Sequence, residues 1–224
     1  MSTSAYLRIP FIWSFALLPA FLLILPGCSN NQKEYYENGK LRYEIEKQDG
    51  RYNGKATFYY ANGLKQHECY YQDDTLQGLS TRWYNNGKVY AEEHYKDNHL
   101  HGQARYYDMN GKKTREENYV LDTLHGDSFE FYPSGQIKIQ GSYDKGMYDG
   151  KWLYFEDDGT IVGMGEFDKG TGKQRGWYRN SVMKREVYFV ENEKHGQETW
   201  YNADGTVARI LTFEHGELIS TEEF

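Results

Sequence analysis

Cysteine is nearly absent: Cys28 and Cys69 are the only two in 224 residues. If Cys28 is modified, as argued below, Cys69 is the sole thiol and no intramolecular disulfide can form. Helical periodicity is missing too. Beyond the N-terminus no stretch sustains an apolar repeat of 3.6 residues, and turn signals come too often to leave room for a helix. Clustered basic residues are also missing: 26 Lys and Arg face 33 Asp and Glu, a net charge of −7. That balance argues against nucleic acid, whose phosphates need grouped Lys and Arg, and against adhesion of the chain to anionic lipid. There is no G-x-S-x-G, P-loop or Cys-His arrangement, and Gly163-Met164-Gly165 is a fragment of a repeat spacing.

What is present is a period. Glycine pairs nine residues apart recur every 24 residues: Gly54/Gly63, Gly78/Gly87, Gly102/Gly111, Gly126/Gly135 and Gly150/Gly159. The phase runs back to Gly39 and on to Gly196/Gly205, through one degraded unit that starts at Gly172 and has Ser181 in the second place. The step from Gly150 to Gly172 is 22 residues, which reads as a loss of two residues from the second turn. Five residues after each leading Gly stands an aromatic: Tyr59, Trp83, Tyr107, Phe131, Phe155, Trp177 and Tyr201. Eight after each second Gly, or after Ser181, stands another: Tyr71, Tyr95, Tyr119, Tyr143, Phe167, Phe189 and Phe213. Val89, Ile137, Ile161, Met183 and Val207 add an aliphatic column, broken by Lys65 and Lys113.

Segments rich in Tyr, Phe, Trp and Thr end at Asn62-Gly63, Asn86-Gly87, Asn110-Gly111 and Asp204-Gly205. Such dipeptides predict two-residue type I′ hairpin turns, which need positive φ at both central positions. The second strand runs to its aromatic and meets a looser polar turn, as in Lys96-Asp97-Asn98-His99. Each unit is then two antiparallel strands and two turns. One unit cannot fold alone: ordering each residue costs roughly 1–2 kcal/mol of backbone entropy, whereas a buried aromatic returns only about 1.5–3 kcal/mol. Stacked units share their aromatic columns, so the expected fold is all-β, an elongated antiparallel sheet of about seven 24-residue β-hairpins with an aromatic spine.

The unit G-x-x-x-x-[FWY]-x-x-N-G-x-[VI]-x-x-x-x-x-[YF] resembles the MORN repeat in its variant bacterial form, the kind found in YwqK-family antitoxins. The likeness covers about residues 35 to 218, departing at Ser181 and at Lys47, which stands where the first unit should have its second aromatic. It implies a MORN-like repeat array and, as a role, an antitoxin or immunity-type partner of a toxin. Fold follows from such a likeness more directly than activity does.

The start of the chain carries a different signal. Arg8 is the only charge before the apolar run Ile9 to Leu25, interrupted by Pro19, which ends in Leu25-Pro26-Gly27-Cys28. A positive n-region, an apolar h-region and a small residue before the cut describe a secretory signal. The tetrapeptide resembles a lipobox, in which the Cys28 thiol takes a diacylglyceryl group and becomes the new N-terminus. The competing reading is an uncleaved anchor, since 17 residues reach the lower limit of a membrane span. The expected organisation is a lipoprotein signal peptide at 1–27, a tether at 28–34 and a repeat domain at 35–224. Two or more acyl chains make stable anchoring, so the protein is expected on a bacterial envelope membrane. Ser29 after the Cys favours sorting to the outer one. Without the signal the chain has 25 basic and 33 acidic residues.

Candidate catalytic groups do not converge. His101, His125 and His195 each precede a leading Gly, so successive copies stand one hairpin, about 10 Å, apart. That is too far for shared ligation at about 2 Å per bond, and neither a metal nor a cofactor is expected. Glu92-Glu93 and Glu116-Glu117 point to opposite faces of a strand, and Asp157-Asp158 belongs to a turn. Cys69 stands in a column that also holds Glu93, Glu117, Gly141, Gly165, Val187 and Leu211, a tolerant position rather than a nucleophile's. An enzyme is not expected.

Binding remains. Next to the aromatic of the first strand stand Phe58, Tyr60, Tyr84, Tyr106, Tyr132, Tyr154, Tyr178 and Trp200, expected on the face opposite the spine. Either these rings pack on adjacent units and on Lys and Arg stems, or they form an exposed ladder of a kind enriched at protein interfaces. Two functions follow: a non-catalytic module that binds a protein partner, a toxin in the case the resemblance implies, or a structural or glycan-binding envelope lipoprotein.

Overall fold

The computed structural model describes residues 30–224, all β and turn, and the signal segment and Cys28 lie outside them. Eighteen strands form one antiparallel sheet in which each strand pairs with its neighbours in sequence, as the hairpin reading predicts. Thr123–Leu124 and Gly126–Phe131 share one place in it, both pairing with Lys113–Val120. Among the described residues the first strand, Gln32–Tyr35, pairs only with the second, and the last, Glu217–Glu223, only with the one before it.

The two turns are the reverse of the expectation. At Asn62-Gly63 only Gly63 has positive φ; Gly63 N–H donates to Tyr60 O at 2.8 Å and Tyr60 N–H to Leu64 O at 2.8 Å. This is a three-residue loop, a type I turn closed by a left-handed glycine. Asn62 Oδ1 accepts the Leu64 N–H at 3.0 Å, so the asparagine braces the loop through its side chain and not through its own φ. The two-residue I′ turns are the polar ones: Asp97 and Asn98 have φ of 52° and 69° between paired Lys96 and His99. Asp and Asn tolerate that conformation, and their side chains find work there. Asn98 Oδ1 accepts the Leu76 N–H of the preceding unit at 2.8 Å, and Asp122 Oδ1 accepts that of Leu100 at 2.7 Å.

The leading glycines lie inside strands. Gly78, at φ 72°, sits where the pairing with the previous strand slips from Glu68↔Thr81 to Tyr70↔Gln77, an insertion of two residues that only a flexible backbone position accommodates. The 22-residue unit explains itself by contrast. Between Asp168↔Thr171 and Gly163↔Gly176 the register never slips, so the two missing residues come from the bulge, and the turn at Lys169-Gly170 is intact.

Bulges and parity put the two aromatic columns on opposite faces. Tyr71 shares a face with Tyr52, Ala56 and Cys69, while Tyr107 lies on the other, its hydroxyl donating to Glu92 at 2.9 Å. Neither column is the most buried line of the sheet. That line is the column of Cys69, Glu93, Glu117 and Val187, together with Ala56, Ser80, Ala104 and Ser128 beside them. The Cys69 column is therefore not tolerant by being exposed: it is the core, and residues there trade size with their neighbours. Cys69 stands by Ser80, Glu93 by Ala104 and Glu117 by Ser128, whereas the central unit inverts the rule with Gly141 beneath Trp152. Tyr143 and Tyr148 pack edge-on to that ring at 5.0 and 4.8 Å.

Both edges of the sheet are laced. Tyr60, Tyr84, Tyr132 and Tyr178 stand just past the last ladder pair, and each hydroxyl donates to a carbonyl 23 residues on, at Trp83, Tyr107, Phe155 and Tyr201, over 2.6 to 2.9 Å. Asp108, Glu156 and Asn202 occupy that place in the other three units.

Candidate functional site

One line of cross-strand partners crosses the core face from edge to edge. It runs Tyr43, Phe58, His67, Arg82, Ala91, Tyr106 and Arg115, each paired with the next. It continues through Glu130, Ile139, Tyr154, Gly163, Gly176, Arg185, Trp200 and Arg209. Strands repeat at about 4.8 Å, so flat side chains in such a line meet face to face. Phe58 stacks on His67 at 5.6 Å, Arg115 lies over the Tyr106 ring at 4.4 Å, and Arg185 and Arg209 sit over the Trp200 ring at 5.3 and 4.9 Å.

Buried carboxylates beneath this line fix the guanidinium groups. Glu93 receives Arg82 at 2.7 Å, and the Tyr106 hydroxyl donates to it at 3.2 Å. Glu198, 1% exposed, takes Lys194 at 2.6 Å and Arg185 on its other oxygen. Burial works to raise the Glu198 pKa, but the hydrogen bonds from Lys194 and Arg185 outweigh it and hold the carboxyl below its ordinary value. An unpaired carboxylate there would be costly, which is why each buried acid has its cation. Burial pushes the Tyr154 and Tyr95 hydroxyls up to about 12, so both rings are neutral donors in any physiological medium.

The line has one gap. Where Gly163 faces Gly176, two consecutive side chains are missing, leaving a cavity of about 260 Å³ between Tyr154 on one side and Arg185 and Trp200 on the other. Glu156, Val162, Gln174, Arg175, Trp177 and Lys184 complete its rim.

The eight residues singled out from the sequence thus divide into two sets. Phe58, Tyr106, Tyr154 and Trp200 belong to the cross-strand line; Tyr60, Tyr84, Tyr132 and Tyr178 are the straps of the laced edge, and all eight are half-buried. Sequence reasoning missed Arg115, Arg185 and Arg209, whose column mixes Arg with His, Ala, Ile and Gly, and Arg82, which interrupts the column of Phe58, Tyr106, Tyr154 and Trp200. Only strand register reveals that they alternate with the rings. On the opposite face the first-strand aromatics are roofed by cationic stems, with Lys113 4.3 Å above Phe131 and Lys65 5.5 Å above Trp83. Ion pairs to Glu116 and Glu68 hold those two lysines in place.

The other groups stay apart. Cys69 is fully buried and its thiol is pushed up to about 11 by that burial, the reverse of what activates a nucleophile. Glu92 and Glu93 point to opposite faces, the first to Tyr107 and the second to Arg82. Among the described residues no three His, Cys, Asp or Glu side chains converge as metal ligands would.

The fold and the line define a class: an open array of stacked β-hairpins with side-chain rows running across the strands. Five stretches, residues 30–46, 76–97, 100–120, 124–145 and 194–215, match the family model of the MORN repeat variant. No curated protein matches the chain. Among solved structures, that described as "Crystal Structure of TcdB2-TccC3-Cdc42" aligns at 11% identity with a TM-score of 0.18, over 82% of this chain and 17% of that one. The one described as "Crystal Structure of TcdB2-TccC3-TEV" aligns at 14% identity with a TM-score of 0.17, over 81% of this chain and 14% of that one.

Proposed function

We propose that this protein is a non-catalytic binding module, lipid-anchored through Cys28 to a bacterial envelope membrane, that holds a protein partner on its core face. The observation that carries the reading is the row of rings and guanidinium groups from Phe58 to Arg209. Aromatic residues dominate protein-interface energetics because they offer large flat surfaces with few rotatable bonds, and Arg joins them through its planar guanidinium where that group is held in place. Here the buried Glu93 and Glu198 already hold Arg82 and Arg185, so a partner would meet a surface whose ordering cost is largely met. The partner would be a toxin in the case implied by the likeness to antitoxins, and the anchor would then place it in the envelope.

The test is affinity capture from cross-linked envelopes with the native chain and with Phe58→Leu/Tyr106→Leu. Leucine retains apolar bulk and removes the flat faces. Loss of a specifically captured protein, with β-type circular dichroism retained, supports the reading. Undiminished capture of the same protein by the variant refutes it, and capture of envelope polysaccharide in place of protein favours a glycan-binding role.

A further inference from the structure

The gap at Gly163 and Gly176 is not a requirement of the fold. Gly176 has no left-handed φ, and a Cβ built on it would lie 3.5 Å from Val162 O, an ordinary contact, so any side chain could stand there. Gly163 is different. A Cβ there would come within 3.1 Å of the Tyr154 Cβ and 3.2 Å of Arg175 O, so its bareness lets the Tyr154 ring lean across the strand. One glycine admits the wall of the cavity, and the other keeps the cavity open.

We propose that this cavity seats one aromatic side chain of the protein partner, slotted between Tyr154 and Arg185. The inference rests on the protein-binding reading of the row. The repeat itself displays what such a slot accepts: one unit further on, the place equivalent to Gly163/Gly176 is filled by Arg185 against Trp200, a guanidinium on a ring at 5.3 Å. Two vacated rungs leave three strand spacings, about 14 Å, between the Tyr154 and Arg185 backbones, of which the leaning Tyr154 ring takes about one, and 260 Å³ takes a single ring. Chemistry selects the ring type. Arg185 is clamped by Glu198 and by Gln174 at 3.2 Å, so its flat face is fixed, and a guanidinium face is attracted to a π face, which a pyranose lacks. Glu156, also on the rim, is already paired with Arg179 at 3.3 Å, and the Lys184 ammonium lies over the Tyr178 ring.

The experiment is an NMR titration of the ¹⁵N-labelled full chain in micelles, following the amides of Gly163 and Gly176. The probes are N-acetyl-tyrosinamide, N-acetyl-leucinamide and methyl β-glucopyranoside. Saturable shifts with the tyrosine amide alone are expected, weakened about tenfold or more by Gly176→Leu, which fills the slot. Arg185→Lys, which keeps the charge beside Glu198 and removes the flat face, should weaken them as well and covers the case of a misfolded leucine variant. No saturable shift with the tyrosine amide, equal shifts with the leucine amide, or a response to the glucoside alone would each overturn the slot. Failure here while capture still depends on Phe58 and Tyr106, both remote from the cavity, refutes the slot and leaves the binding face standing. Failure of both refutes the face.

Discussion

Trp152 is the place to test whether the buried line, and not the aromatic columns, is the core. Its ring is 5% exposed and covers Gly141, where a Cβ would fall inside the ring. Trp152→Ala removes a packed indole and the hydrogen bond its Nε1 donates to Ser142 O at 3.1 Å. A loss of about 3–5 kcal/mol follows for the cavity. Gly141→Val alone is an overpacking change, costing about 1–3 kcal/mol or more because the ring must leave its rotamer. Together the two recreate the arrangement of the other units, a larger residue beside Ala, as with Glu93 and Ala104. The valine then fills part of the cavity and removes a strand glycine, itself a burden of roughly 0.5–1 kcal/mol. The double variant should therefore be about 1–2 kcal/mol more stable than Trp152→Ala, with a coupling of opposite sign to simple addition. Guanidinium titration of the four proteins reads this directly. If the double variant loses the sum of the two single losses, the complementarity between these columns is an accident and the reasoning fails.

Three further outcomes are expected. Tyr132→Phe removes only the strap to Phe155 O and should cost about 0.5–1.5 kcal/mol in denaturant titration, whereas the same change at Tyr70, exposed and without that bond, should cost almost nothing. Glu116, Glu186 and Glu198 have pKa values held below the ordinary carboxylate range, the first by Lys113 and the second by Arg175, so unfolding should take up protons. A depressed folded pKa gives stability that is complete above the unfolded value near 4.5 and is lost as pH falls through the folded one; a midpoint that rises on acidification would contradict this. Cys28→Ser should abolish palmitate incorporation and the mobility shift of signal cleavage, and unchanged labelling would rule out the lipoprotein reading.

Repeat length, strand content and the two aromatic columns could all be read from the chain, because aromatic and glycine places recur without regard to register. The turn types could not be read so directly. Asn62-Gly63 has the composition of a I′ turn, and only the hydrogen bond from Gly63 to Tyr60 shows that the loop holds a third residue, Ala61. The core was hidden for a related reason: Cys69, Glu93, Gly141 and Val187 share a position and no chemistry, since each is matched to a different neighbour. Half of the candidate surface was legible. Phe58, Tyr106, Tyr154 and Trp200 fall on the face that strand alternation assigns them, while Tyr60, Tyr84, Tyr132 and Tyr178 stand beyond the ladder, where alternation no longer governs direction. Arg115, Arg185 and Arg209 come from the second strand of their units, whereas Arg82 stands in the first-strand column of the rings themselves, so no single column announces them.

The claim that the core face holds a protein partner is tested most directly by a photo-cross-linking amino acid placed at one position on each face in living cells. Arg209 lies in the row over Trp200, and Lys151 lies exposed on the opposite face, paired with Glu166. The account predicts an adduct with a discrete protein from position 209, competed away in the Phe58→Leu/Tyr106→Leu background, and none from position 151. An adduct from position 151 alone would place the partner on the other face and contradict it.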